Sequence, residues 1–215
     1  MLRARAEFLE AGHLDPVADA VADAAAAGAT GGPIAEIGSG TGHYLRRAHE
    51  RAGGADCAIG LDLSKHAADI AARANGGLLF VVADAVAGIP LVGGSVDALL
   101  SVFAPRPAAE CARVLAPGGL LVACFANPGH LAAQRRDWGL ISIRPDKLGA
   151  LEDRLADDFE LSSSADLEYS AQLPPRDVRR LIAMGPSARH GARAPAAEGL
   201  VGVEFSVTVA AFRRR

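Results

Sequence analysis

The chain is expected to fold as an α/β protein, with a doubly wound, mostly parallel sheet of about seven strands flanked by helices. Three observations lead there. Short apolar runs alternate with helix-length amphipathic segments through the first two thirds of the chain, which implies βαβ units. The first apolar run, Ile34-Ala35-Glu36-Ile37, ends in a loop with glycine at every second position, Gly38-Ser39-Gly40-Thr41-Gly42. Half of the 215 residues are hydrophobic, enough for a full core.

Two helices come first, over residues 2–11 and 15–28. Gly12-His13 breaks the first; Asp15-Pro16 starts the second, with an acid at the cap and proline at the first helical position. Gly31-Gly32-Pro33 leads into the strand Ile34 to Ile37. The expected order is then a helix from Tyr44 to Arg51, a strand from Cys57 to Leu63, and a helix capped by Ser64 and running to Arg73. Strands over Leu78–Val82 and Val96–Phe103 follow, then a helix from Ala108 to Leu115 and a strand from Leu120 to Phe125. Beyond it are expected a helix over Lys147–Asp157, a strand within Leu161–Leu173, a short helix over Pro175–Ala183 and a final antiparallel strand over Val201–Phe212. Residues 185–199, rich in Gly, Ala, Pro and Arg, read as a long loop. The whole is expected to be one domain, 1–215, with N-terminal helices (1–30), a cofactor-binding core (31–130) and a substrate-side part (131–215).

Composition narrows the function. The net charge is −3, less basic than electrostatic binding of nucleic acid alone would require. The Arg46-Arg47, Arg135-Arg136, Arg179-Arg180 and Arg213–Arg215 clusters read as solvated faces or a tail. Lysine occurs only at positions 65 and 147 in an arginine-rich chain. Cys57, Cys111 and Cys124 form no C-x-x-C, so neither a metal site nor a disulfide framework is expected. The longest apolar run is too short for a bilayer, and the N-terminus has no apolar signal region, so a cytoplasmic protein without a membrane partner is expected.

The chemistry lies at the ends of the first three strands, where Glu36, Asp62 and Asp84 are expected to line one crevice. Glycine lets a ligand approach the backbone closely, and the first such loop of a parallel sheet marks a nucleotide-like site. Glu36 would repel a pyrophosphate but suits the ammonium of S-adenosylmethionine. Asp62, twenty residues after Gly42, is placed for the ribose hydroxyls, and Asp84 with the Ala85 amide for adenine. The pattern acid-x-Gly-x-Gly-x-Gly resembles the cofactor loop of class I (Rossmann-like) methyltransferases. A dinucleotide fits less well, because the third glycine comes one position early and His43 stands in its place. Methyl transfer needs little acid–base catalysis, so no nucleophile or triad is expected. The acceptor pocket is expected from Phe103, Pro105 and Arg106 after the fourth strand and Asn127 after the fifth: Phe103 to stack on a planar acceptor, Arg106 to bind a phosphate or oxyanion.

Over nearly its whole length the chain resembles the bacterial 23S rRNA guanine-N1 methyltransferases, in the actinobacterial branch that includes tylosin-resistance enzymes. The marks are Ala4-Arg5-Ala6-x-Phe8-Leu9-x-Ala11-Gly12-His13, Ile37-Gly38-x-Gly40-Thr41-Gly42-His43, Leu61-Asp62-x-Ser64-Lys65, Val102-Phe103-Ala104-Pro105-Arg106, Gly129-His130-Leu131 and Ala183-Met184-Gly185-Pro186-Ser187. The resemblance implies rRNA modification, in some members linked to antibiotic resistance, and cofactor contacts at Leu14, Gly40, Thr41 and His130. Family members carry tyrosine where Leu14 stands and an aromatic residue where Ala188 stands. They also begin with a zinc-binding module whose ligands this sequence lacks. Those departures imply either a shortened chain or a different acceptor, such as a small indole-like ring. A non-catalytic binding protein on the same fold is the third alternative, and a homodimer remains open.

Overall fold

The computed structural model describes residues 1–28, 30–54, 57–185 and 199–215. Helices α1 (Leu2–Glu10) and α2 (Asp15–Ala26) precede the sheet. Then come β1 (Ile34–Ile37), α3 (His43–Arg51), β2 (Ala58–Asp62), α4 (Lys65–Ala74), β3 (Leu79–Val82) and β4 (Val96–Val102). The rest is α5 (Ala108–Val114), β5 (Leu115–Ala126), α6 (Ala132–Trp138), α7 (Lys147–Leu155), β6 (Phe159–Leu173), α8 (Pro175–Met184) and β7 (Val201–Arg214).

These strands form one seven-stranded sheet in the order β3-β2-β1-β4-β5-β7-β6. The pairings from β3 through β5 are parallel, and β7 runs antiparallel to both β5 and β6. The sheet is therefore mixed, and the expectation of a mostly parallel sheet holds only for its first five strands. The antiparallel ladder is long, from Phe159↔Arg214 to Leu173↔Val201. Strand β6 lies at the edge with most side chains exposed, so it has no buried face to imprint a clear alternation on its sequence. Chain order leaves β1 for β2 on one side and β4 on the other, which opens a crevice at the carboxyl ends of β1 and β4.

Two apolar clusters cover the two faces. One joins α1, α2, α3 and α8 to Ala98, Leu100 and Val102 of β4; the other joins α5 and α7 to Val96 and Leu99 of the same strand. From Ala98 to Val102 the alternation follows from the two-residue period of a strand, and Val96 falls on the other face because the pairing with β5 shifts register between Val96 and Ala98. Phe8, Leu45, Leu100 and Phe205 are wholly buried in the first cluster, and burying such side chains stabilises a fold by about 1.5–3 kcal/mol each.

Local expectations were mostly met within a residue or two. Ser64 caps α4 as expected, its hydroxyl accepting from the Ala67 amide at 3.3 Å. The cap of α2 is Leu14, one residue earlier than Asp15-Pro16 suggested. Strand β5 begins at Leu115 because that residue pairs with Val96 across an irregularity. Helix α6 was not anticipated. It is seven residues long, entered from Leu131 and left through Gly139, both in left-handed backbone, with no side-chain cap to signal it. Most of the loop expected at 185–199, with Ala188, lies outside the described residues. No helix among the described residues is long and apolar enough to cross a membrane.

Candidate functional site

The glycine loop joins β1 to α3. Gly38, Gly40 and Gly42 all have left-handed backbone, at φ +67°, +55° and +79°. Two of them are also sterically enforced. A β-carbon at Gly38 would stand 2.8 Å from Ala104 Cβ, and one at Gly42 would stand 2.7 Å from Phe80 Cζ and 2.8 Å from Asn75 Nδ2. The Asn75 amide also donates to the carbonyl of buried Thr41 at 3.1 Å. The loop is thus a fixed cradle closed from below by its own neighbours.

The three acids occupy three environments. Asp62, at the end of β2, accepts from the Gly40 amide at 2.9 Å through Oδ2 and from the Ser64 amide at 2.8 Å through Oδ1. Each oxygen keeps a lone pair for a further donor. Leu63, next in sequence, is 72% exposed and presents bare apolar surface beside that carboxylate. Asp84, exposed beyond β3, accepts from the Val86 amide at 2.9 Å and forms the turn that carries Ala85.

Glu36 departs from the expectation that all three acids line the crevice. It shares the strand face of Ile34, which packs against α3, and it is fully buried. Its Oε2 accepts from the Leu45 amide at 3.0 Å, in the first turn of α3, while Oε1 has no hydrogen-bond partner among the described residues. Burial pushes the carboxyl up to about 8, against the pull of the nearby Arg5 charge and the Leu45 amide. Glu36 therefore anchors the start of α3 and, through it, the loop.

On the other side of β1 lies a cavity of about 410 Å³, lined by Arg5, Leu14, Phe103, Ala126, His130, Arg135, Lys147 and Phe205 together with apolar side chains of α8 and residues 140–143. Arg5 joins it to the cradle: its Nε lies 3.5 Å from where a β-carbon on Gly40 would stand. Leu14 is buried at the start of α2. Phe103 is 40% exposed with φ +53°, a strained conformation for an aromatic residue. Its neighbour Ala104 is the residue packed on Gly38.

His130 lies edge-on to Phe205, with ring centroids 5.7 Å apart. The Ser206 amide donates to its Nδ1 at 3.3 Å, and burial, with the Arg135 charge, pushes the imidazole down to about 4. It is neutral, with its proton on Nε2.

The other acceptor-pocket candidates do not join Phe103 in this cavity. Pro105 is exposed and its carbonyl accepts from Ser101. Arg106 turns inward, 5.7 Å above the Phe125 ring, with Nη2 3.5 Å from the Cys124 carbonyl. Asn127 lies on the opposite sheet face, its Oδ1 2.9 Å from the Thr208 hydroxyl oxygen, in a polar cavity of about 330 Å³ with Asp166, Glu168 and Lys147. One residue of alternation along β5 separates Ala126 from Asn127 and sends them to different faces. Arg5, Leu63, Arg135 and Lys147 were not anticipated as site residues. The cues were present: Arg5 stands in a family-like segment, and Lys147 is one of two lysines.

The Gly12-His13 segment is a structural joint. His13 Nε2 lies 2.9 Å from Asp177 Oδ2, Arg180 pairs with both Asp177 and Glu7, and the Tyr169 hydroxyl donates to the His13 carbonyl at 2.9 Å. These bonds lock α1 to α8 and hold Arg5 and Leu14 over the site. Among the described residues, no group of three or more His, Cys, Asp or Glu is arranged to hold a metal ion.

A methyltransferase-domain family matches residues 34–119. The chain is 39% identical over 194 residues to the 23S rRNA (guanine(748)-N(1))-methyltransferase of Streptomyces fradiae, covering 88% of this chain and 69% of the relative. It is 34% identical over 226 residues to a Micromonospora griseorubida protein whose name assigns it to 23S rRNA guanine-N(1) methylation, covering 98% and 76%. Among solved structures, the [4+2]-cyclase SpnF superposes with a TM-score of 0.61 at 22% identity, over 93% of this chain and 80% of that one, a likeness of fold alone.

Proposed function

The chain belongs to the family of 23S rRNA (guanine-N1)-methyltransferases, and on that premise we propose that it methylates N1 of a guanine in 23S rRNA. It is an S-adenosylmethionine-dependent methyltransferase. The observation that carries the acceptor reading is the junction at Phe103-Ala104. Ala104 packs on the cofactor loop at Gly38 while Phe103 lines the cavity, so a base stacked on Phe103 lies beside the loop.

The residues fit the cofactor. Asp62 has free lone pairs where two ribose hydroxyls would donate, Leu63 offers an apolar face for adenine, and Asp84 with the Ala85 amide faces its edge. The Gly38, Gly40, Thr41 and Gly42 backbone gives the close approach, with Leu14 and His130 closing the methionine end. Glu36 acts indirectly, by fixing α3. The bound cofactor supplies an electrophilic methyl on a sulfonium. The chain's own work is to hold the acceptor in line and exclude water, a proximity effect. A guanine within an RNA stem has to be turned out of its stack to reach Phe103. In this reading residues 1–215 act as one domain: the N-terminal helices and residues beyond 130 wall the acceptor cavity, and the core between holds the cofactor.

The test is incorporation of label from radioactive S-adenosylmethionine into 23S rRNA fragments, with the product base identified by mass spectrometry. N1-methylguanine is expected. Label found only in a small indole-like acceptor offered in parallel would overturn the RNA reading.

A further inference from the structure

The cavity beside the glycine loop is charged in one sense. Its described lining contains Arg5, Arg135 and Lys147 and neither Asp nor Glu. That matters for the proposed acceptor, on whose identity the inference rests. In neutral guanine N1 carries a proton, and its lone pair is shared with the C6 carbonyl. N1 becomes a good nucleophile when the proton leaves, and the negative charge then resides largely on O6. A site that promotes this step offers a base to N1, a cation to O6, or both.

The cavity has the cation and lacks the base among its described residues. His130 is occupied at Nδ1 by the Ser206 amide and keeps its proton on Nε2, so it donates and does not accept. Of the three cations, Arg135 is committed to the carbonyls of His130 and Pro128, and Arg5 stands at the cofactor end over Gly40. Lys147 is placed differently. It opens α7, and its Nζ donates one hydrogen to the Ala126 carbonyl at 3.0 Å, at the tip of β5. An ammonium has three hydrogens, and two remain to turn into the cavity.

Several charged groups surround Lys147. Arg144 and Asp146 precede it, and the Asp146 carboxylate accepts from the Gly149 amide at 3.3 Å. Arg106 approaches from the segment after β4, while Asp166 and Glu168 face it from β6 across the polar cavity, taking hydrogen bonds from Thr208 and Ser206. Burial and the Arg106 charge hold the ammonium below its usual range, which suits a donor to a developing anion.

We propose that Lys147 donates a hydrogen bond to O6 of the acceptor guanine and stabilises its N1-deprotonated form, and that the N1 proton leaves to water and not to a side chain of the described cavity lining. The N1 lone pair then forms the new bond to the methyl carbon as the carbon–sulfur bond breaks, its electron pair staying on sulfur. A neutral thioether and N1-methylguanine result, with one proton released.

The test is single-turnover methylation of a 23S rRNA hairpin fragment across pH, with wild type, Lys147→Gln and Lys147→Arg. Wild type should show one limb rising with pH to a plateau. Lys147→Gln should be slower by roughly 10²-fold at neutral pH, the usual cost of losing one oxyanion donor, with the limb displaced to higher pH. Lys147→Arg should recover part of the loss. Placing 6-thioguanine, whose N1 proton is more acidic, at the target should recover about tenfold in Lys147→Gln and little in wild type. Calorimetric binding of S-adenosylmethionine should stay within about twofold of wild type.

The inference is overturned if Lys147→Gln reacts within about threefold of wild type, or if its pH limb does not move. Cofactor binding lost in step with rate would also overturn it, as would a wild-type limb that Asp166→Asn abolishes. A wild type that methylates no guanine in the fragment removes the acceptor reading and this inference together. A wild type active at N1 and indifferent to Lys147→Gln removes this inference alone.

Discussion

The sheet divides at β1 into two halves that solve different problems. Toward β2 and β3, left-handed backbone in the site falls on glycines, where it costs little, and the acids are held by backbone amides two to twenty-two residues away. Toward β4, β5 and β7, it falls on large side chains. Among the described residues the three non-glycine positions with φ near +50° are Phe103, Leu131 and Asp146, and each borders one of the two cavities. Such backbone costs about 1–2 kcal/mol per residue, and it persists where the surroundings over-determine it. The half proposed to hold the cofactor is a pre-bonded cradle made from local sequence. The half proposed to take the acceptor is an assembly of distant residues that carries the strain.

The contrast is breakable. The largest effect is expected from Gly42→Val. Its β-carbon would meet Phe80 and Asn75 in left-handed backbone, so thermal or denaturant melting should show a loss of about 3 kcal/mol or more, with cofactor binding abolished. Asp62→Ala comes next. It removes the acceptor for Gly40 and Ser64 as well as the proposed ribose contact, and S-adenosylmethionine affinity by calorimetry should fall by ~10–100-fold. Equal heats for the variant and wild type would show that the cradle does not depend on this acid.

Phe103→Ala should separate the halves. Cofactor affinity is expected to hold, while kcat/KM on an rRNA fragment drops by about tenfold or more through lost base stacking. Phe103→Gly should melt higher than Phe103→Ala by about 1 kcal/mol, because glycine relieves the left-handed strain at φ +53°. If the two variants melt alike, the strain assigned to the acceptor half is absent.

The last test reads a slope across pH. Glu36 titrates near 4.5 when unfolded and about 8 when folded. Below the lower value the carboxyl is neutral in both states. Between the two values the folded chain keeps a proton that the unfolded chain has lost, so stability falls as pH rises through that window. Glu36→Gln should flatten the decline in melts of the cofactor-free protein between pH 5 and 8. A wild-type curve that rises there would contradict the burial of this carboxyl.

Legibility followed the same division. The glycine loop, the places of Asp62 and Asp84 after the second and third strands and the succession of the first five strands along the chain were readable because strand period, turn glycines and the Ser64 cap act over a few residues. Glu36 was identified as a site residue but misplaced, because alternation fixed its face only once α3 was seen to cover that face. Phe103 stood out from its position after β4, whereas Arg106 and Asn127, equally suggestive by position, turned to other surroundings. Helix α6 and the reach of β6 went unread because they lack caps and a buried face. Arg5 and Lys147 gave only faint signals, since 142 positions separate two residues that line one cavity.

By itself the sequence determined the α/β class, the glycine loop after the first strand and the family, all properties of near neighbours and of periodic burial. Only the tertiary structure decided which side chains share the proposed acceptor cavity, that its described charged lining is cationic, and that Glu36 lies beneath the loop. Those outcomes depend on strand order and on which face each residue presents, and both are settled when elements far apart in the chain pack together.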